Sequence, residues 1–187
     1  PYTADQLLEK ACRYRTYWKQ KGGITVSGGE PLLQIDFVTE LFRKAQEKGI
    51  HTTLDTSANP FTTKEPFYSK WKELMQYTDL ILLDIEMPGM SGLDFLKELL
   101  PRHPLPVILV SSLNIKVFDA LAAGAVDFVR KPDMNSHMSK DAFLSMLISK
   151  LIVASQSKIR VPASQAAPVT SARRISGKVI SQFKPES

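Results

Sequence analysis

Five short strand-like runs alternate with helical patterns along this chain, and that alternation constrains its fold more than any other feature. The runs fall at residues 24–27, 51–56, 79–85, 106–111 and 126–130. Neighbouring parallel strands cannot be joined by a tight hairpin; they need a crossover of a dozen or more residues, usually a helix. The spaces between the runs supply such helices. Residues 33–48 place Phe37, Leu41 and Ala45 on one stripe, and Gly49 follows as a stop signal. Residues 66–77 turn Trp71, Leu74 and Met75 inward, and residues 93–100 and 115–123 form shorter helical segments. Residues 139–155 carry Phe143, Leu144, Leu147, Ile148 and Leu151. A further helix precedes the first strand, where Thr3 and Gln6 have the spacing of a capping box ahead of Leu7, Leu8, Ala11 and Cys12. The expected fold class is α/β, a five-stranded parallel sheet flanked by helices with right-handed crossovers.

The strands are not alike. Leu80 to Leu83 and Val107 to Val110 are continuous apolar runs, as in strands covered on both faces. Ile24-Thr25-Val26-Ser27 and Thr52-Thr53-Leu54-Asp55 alternate instead, which gives each a polar face suited to lining a ligand cavity. Charge is also unevenly placed. Lys158, Arg160, Arg173, Arg174, Lys178 and Lys184 against Glu186 carry the whole net charge of +5, so residues 1–155 balance. Basic character confined to a Ser-, Ala- and Pro-containing tail reads as a solvated, disordered linker over 156–187, not as a nucleic-acid face. The single Cys12 excludes an internal disulfide and a metal site of several thiolates. No apolar run reaches the ~20 residues of a membrane span, and no secretory pattern opens the chain. A cytoplasmic protein without a membrane partner is expected.

Ser27-Gly28-Gly29-Glu30-Pro31 lies between a strand and a helix, where paired glycines let backbone groups approach a ligand and the following helix start favours negative charge. By itself such a segment reads equally as a tight turn. Its surroundings, GGITVSGGEPLLQIDFVTELFRKAQEKGIHTTLDTSANP and then YTDLILLDI, resemble the pyruvate formate-lyase activating enzymes of the radical S-adenosylmethionine family over residues 1–85. The resemblance implies a partial (β/α) barrel. It implies contacts to S-adenosylmethionine at Ser27, Gly28, Gly29 and Glu30, and a cation near Asp55, Thr56 and Asp84. The family's C-x3-C-x2-C loop, which binds its four-iron cluster, would lie upstream of residue 1. No iron–sulfur cluster and no radical chemistry are therefore expected, and retained S-adenosylmethionine binding is not expected either.

The stretch LLDIEMPGMSGLDFLKELL places Asp84 at the carboxyl end of a buried strand, where ligands of open α/β sheets bind. Ser111 and Ser112 end the next strand, and Lys131-Pro132 follows the last. Singly, these read as a helix-capping acid, a turn residue and a solvated cation. Together, a carboxylate, a hydroxyl and an ammonium at three adjacent strand ends suit phosphoryl transfer to the carboxylate. The segment resembles the response-regulator receiver domain, and VSSL with ALAAGAVDFVRKP resembles more narrowly the receiver of the chemotaxis protein-glutamate methylesterases, from Leu80 to Ser155. That resemblance implies Asp84 as phosphoacceptor, Ser111 as switch hydroxyl, Lys131 as the conserved lysine and the Glu86 carbonyl as a Mg²⁺ ligand. It implies a histidine kinase or small phosphodonor as partner. The receiver's first strand, with its acidic pair, is absent, and Ser27 to Glu30 is expected in its place. Metal binding through Asp84, Glu86, Glu30 and Asp55 should then be weak. The methylesterase domain is absent too, so neither parent's catalysis is expected.

Both similarities meet in the strand ending Leu-Leu-Asp-Ile, so the chain reads as a chimera joined near Asp84, with residues 1–85 and 86–155 forming one composite domain. A join inside a shared strand favours recombination over tandem fusion. Two strand orders fit: the receiver's 2-1-3-4-5, and a half-barrel's 1-2-3-4-5. The receiver order is favoured, because sequential order would leave one face to the last helix alone and expose apolar surface that invites a homodimer. Three functional readings follow: an impaired phosphoacceptor module, a remnant activase fragment that binds S-adenosylmethionine, and an engineered or recombined fold without activity.

Overall fold

The computed structural model describes residues 1–85, 92–112, 117–132 and 139–157. Strands β1 (Gly23–Val26), β2 (His51–Thr56), β3 (Leu80–Asp84), β4 (Val107–Ser111) and β5 (Asp127–Arg130) form one parallel sheet. Among the described residues, six α-helices accompany it: α1 (Ala4–Cys12), α2 (Ile35–Glu47), α3 (Phe67–Gln76), α4 (Gly92–Leu99), α5 (Val117–Ala122) and α6 (Lys140–Ser155). Each bound lies within about two residues of its sequence-based position, the usual scatter at element ends. The capping box of α1 is formed, with the Gln6 amide donating to Thr3 Oγ1 at 3.2 Å and the Thr3 amide donating to Gln6 Oε1 at 3.1 Å. A 3-10 segment at Arg15–Lys21 was not expected from the sequence; nor was the one at Pro31–Gln34, which prefixes α2.

The strand order is β1-β2-β3-β4-β5, which corrects the preference for receiver order. β1 pairs with β2 from Gly23↔His51 to Val26↔Leu54, and β2, not β1, lies beside β3 from Thr53↔Leu80 to Thr56↔Leu83. The physical reason is in the strand chemistry. Right-handed crossovers in sequential order put α2 to α5 on one side of the sheet. There Phe42, Leu54, Trp71, Ile81, Leu83 and Phe95 form the main core. Its aromatic rings meet edge to face, Phe61 with Phe95 at 4.9 Å and Trp71 with Phe95 at 5.5 Å between centroids. On the other side α6 covers only β3 to β5, packing Phe143, Met146, Leu147 and Leu151 over Leu80, Leu82, Ile108 and Val129.

That single helix suffices because alternation turns Gly23, Thr25, His51, Thr53 and Asp55 to the same side on β1 and β2. The part of the sheet beyond α6 is polar, so the apolar exposure that argued against sequential order does not arise there. Apolar surface is instead presented by α6 itself, whose Leu144, Ile148 and Ile152 are 42%, 54% and 55% exposed. At the β1 end of the molecule, Ala4 and Leu8 of α1 pack on Leu41, Ala45 and Ile50. Among the described residues, no helix is long and apolar enough to cross a membrane. Glu86 and residues 158–187, which include the basic tail, lie outside the described residues.

Candidate functional site at the strand carboxyl ends

Asp84 is the last residue of β3, and Lys131 follows the last residue of β5. The Lys131 amide donates to the Ser111 carbonyl at 2.9 Å, which continues the β4–β5 ladder by one step and fixes where the lysine side chain leaves the sheet. Its Nζ then donates to Asp84 Oδ2 at 2.5 Å, both side chains being partly exposed. Two of the three residues expected to act on a phosphoryl group are thus in direct contact. Ser111 stands at the end of β4 and is fully buried. Asp84 is in register with Val110, so alternation assigns Ser111 to the opposite pleat, with Val107 and Leu109.

The acid next to Asp84 is Asp55. It is in register with Leu82 on β3 and shares the α6 side of the sheet with Leu82 and Asp84. Burial pushes its carboxyl above the ordinary range, and the negative charges of Asp84 and, more weakly, Glu30 push the same way; Lys131 opposes them. The expected neighbour was the Ser27 to Glu30 segment. Sequential order displaces that segment by one strand, so β2 takes the position beside β3 and brings Asp55 with it.

Glu30 has different work. Its carboxylate accepts from the Leu32 amide at 3.0 Å and from Thr56 Oγ1 at 2.6 Å. It also accepts from the Ser57 amide at 2.9 Å and from Ser57 Oγ at 2.5 Å. Three of these four donors, from Thr56 and Ser57, tie the loop after β1 to the carboxyl end of β2. Gly28 and Gly29 adopt φ of 91° and 57°, and a Cβ built on either meets nothing within 4 Å. Their glycine requirement is the left-handed turn, not lack of room.

Gly28, Gly29, Asp55, Asp84 and Lys131 all line one cleft of about 560 Å³. Its remaining wall includes Val110, Phe143 and Leu147, which sequence reasoning treated as core positions only. The i, i+4 spacing of Phe143 and Leu147 near the start of α6 places both beside the strand ends. Among the described residues, no group of three or more His, Cys, Asp or Glu is arranged to hold a metal ion.

The model of the response regulator receiver domain matches residues 40–142, more than half of the 187-residue chain. The match begins inside α2, ahead of the segment that carries the receiver motifs. Protein-glutamate methylesterase/protein-glutamine glutaminase 2 of Syntrophomonas wolfei is 40% identical over 143 residues, 75% of this chain and 41% of that protein. Pyruvate formate-lyase-activating enzyme of Streptococcus mutans is 51% identical over 84 residues, 45% of this chain and 32% of that protein. Among solved structures, a domain of pyruvate-formate lyase-activating enzyme from Bacteroides vulgatus is 16% identical with a TM-score of 0.48, covering 71% of this chain and 94% of that one. The chain spans less than half the length of these two curated relatives, and it carries similarity to both kinds of protein. By the match over residues 40–142, it belongs to the response regulator receiver domain family.

Proposed function

We propose that the chain is a phosphoacceptor module of the two-component type, with Asp84 as acceptor and reduced activity. The observation that carries this reading is the 2.5 Å contact between Lys131 Nζ and Asp84 Oδ2 at two strand carboxyl ends. In the step envisaged, an Asp84 carboxylate oxygen attacks the phosphorus of a donor. The bond from phosphorus to the donor's leaving group breaks, and that group departs with the electron pair. Lys131 neutralises charge on the phosphoryl oxygens, while Ser111, buried on the pleat opposite Asp84, would serve as the switch hydroxyl only by turning round the end of β4. A histidine kinase or a small phosphodonor such as acetyl phosphate supplies the group.

A receiver uses Mg²⁺, and the residues here fit one only in part. Asp55 and Asp84 offer two carboxylates on the same side of the sheet, and the resemblance adds the Glu86 carbonyl. A hard cation takes about six oxygens, so much of its shell would be water and its affinity low. When bound, the metal would screen the acceptor carboxylate from the incoming phosphoryl charge. Glu30 is poorly placed to help, since its carboxylate already serves four donors. The same engagement weighs against a retained S-adenosylmethionine site at Ser27 to Glu30.

The test is intact-mass measurement after incubation with acetyl phosphate and Mg²⁺. The expected result is a fractional adduct of about 80 Da, the mass of one phosphoryl group, that Asp84→Asn lacks. A folded protein that gains no adduct, or one whose adduct persists in Asp84→Asn, would sink the reading.

A further inference from the structure

The cleft at the strand ends has two unlike walls. Gly28, Gly29 and Asp55 lie on one side, at the ends of β1 and β2, while Val110, Phe143 and Leu147 lie on the other, from β4 and α6. One wall is therefore polar backbone and carboxylate, the other aliphatic and aromatic. Its charge is not balanced either. Lys131 is committed to Asp84, and the Asp55 carboxyl makes no hydrogen bond or ion pair among the described residues. Its oxygens open on the cleft, since no buried side-chain oxygen in the described residues is left without a partner.

A carboxyl group that is half buried, lacks a partner and faces an apolar wall is the recognition set for an organic cation. An ammonium group would gain a charge-assisted hydrogen bond from it. An anion would meet Asp55 and Asp84 together, and a neutral ligand would leave Asp55 desolvated without compensation. We propose that this cleft binds a small organic amine with an apolar body, the ammonium on Asp55 and the body against Val110, Phe143 and Leu147. This site does not depend on the phosphoacceptor reading, because the ammonium is assigned to Asp55 and not to the acceptor.

The test uses the whole chain and three probes of one shape: 2-phenylethylamine, 2-phenylethanol and phenylacetate. Titration followed by amide NMR should give saturable shifts with the amine around residues 55, 110, 143 and 147. A ligand of this size is expected to bind in the millimolar range, about 1–10 mM. The alcohol and the acid should bind at least about fivefold more weakly, and Asp55→Asn should weaken the amine about tenfold. Lys131→Ala, which removes a positive charge from beside Asp84 and Asp55, should tighten amine binding instead. The proposal fails if the amine does not saturate by about 50 mM, well above that range. It also fails if the three probes bind alike, or if Asp55→Asn, shown folded by its far-ultraviolet spectrum, binds the amine unchanged.

Discussion

The β1–β2 half and the β3–β5 half of this sheet solve the same problem in different ways. β3 and β4 read Leu-Ile-Leu-Leu-Asp and Val-Ile-Leu-Val-Ser and need cover on both faces, which α2 to α5 give on one side and α6 on the other. β1 and β2 alternate, so they bury one face under α1 to α3 and leave the other to solvent and to the cleft. The first half therefore spends its polar side chains at the strand ends on holding loops together through Glu30. The second half leaves its own, Asp84 and Lys131, partly exposed on the cleft. A sheet that is apolar on two faces at one end and on one face at the other can be closed by a single helix, and that is what permits sequential order.

The largest expected effect tests that contrast directly. Leu82 is 5% exposed beneath α6, while Thr25 occupies the same side of the sheet on β1 and is exposed. Leu82→Asn removes buried apolar volume and leaves an amide without water, and should cost about 3 kcal/mol or more. Thr25→Asn should change stability by no more than about 0.5 kcal/mol. Urea denaturation of both variants decides it. Equal losses would mean that β1 and β2 are covered after all, and the account of the strand order would fall with them.

A middle-sized effect is expected at Glu30. Its carboxylate serves donors from Leu32, Thr56 and Ser57, three of the four bonds crossing between loops. Glu30→Ala leaves partly buried donors unsatisfied and should cost about 2 kcal/mol. Glu30→Gln keeps one acceptor oxygen and should recover about half of that loss. Lys131→Ala, by contrast, breaks an ion pair that water already screens and should cost no more than about 1 kcal/mol. A Glu30→Ala variant as stable as the parent would show that the first half's polar groups are as dispensable for folding as those of the second.

What the sequence made legible follows the same division. Elements governed by local rules were readable: the Thr3–Gln6 capping box, the apolar stripe of α2, and β2 at residues 51–56. So was the meeting of Asp84 and Lys131, because both sit at ends of parallel strands that must be neighbours of β4 in either order. Strand order itself was not, since it depends on which surfaces remain uncovered once every helix is placed. The error passed directly into the site. Placing β1 beside β3 made Glu30 the neighbouring acid, whereas the true neighbour, β2, supplies Asp55. The role of Ser57 and the cleft-facing sides of Phe143 and Leu147 were hidden for a related reason: pairing between distant loops and helices leaves no local signature.

Asp55 supplies the smallest effect and the finest comparison, because it is the one acid of the first half that faces the charges of the second. Burial, with the negative charge of Asp84, holds its folded-state pKa above the ordinary carboxyl value of 3.8. Below 3.8 the group is protonated in both folded and unfolded chains and costs nothing. Between that value and the raised folded value, the unfolded chain releases its proton while the folded chain keeps it, so stability falls as pH rises through this window. Above the folded value the penalty is constant. Asp55→Asn removes the ionisable group, so the variant should melt slightly higher than the parent near pH 7, with the difference vanishing near pH 3. The group is partly exposed and Lys131 opposes the shift, which keeps the difference small. Thermal melts of the two proteins across that range provide the measurement. A difference that stays constant with pH would trace the effect to packing of the amide. A difference that shrinks on acidification would trace it to ionisation of the Asp55 carboxyl, opposed first by burial and then by the charge of Asp84 across the join between the halves.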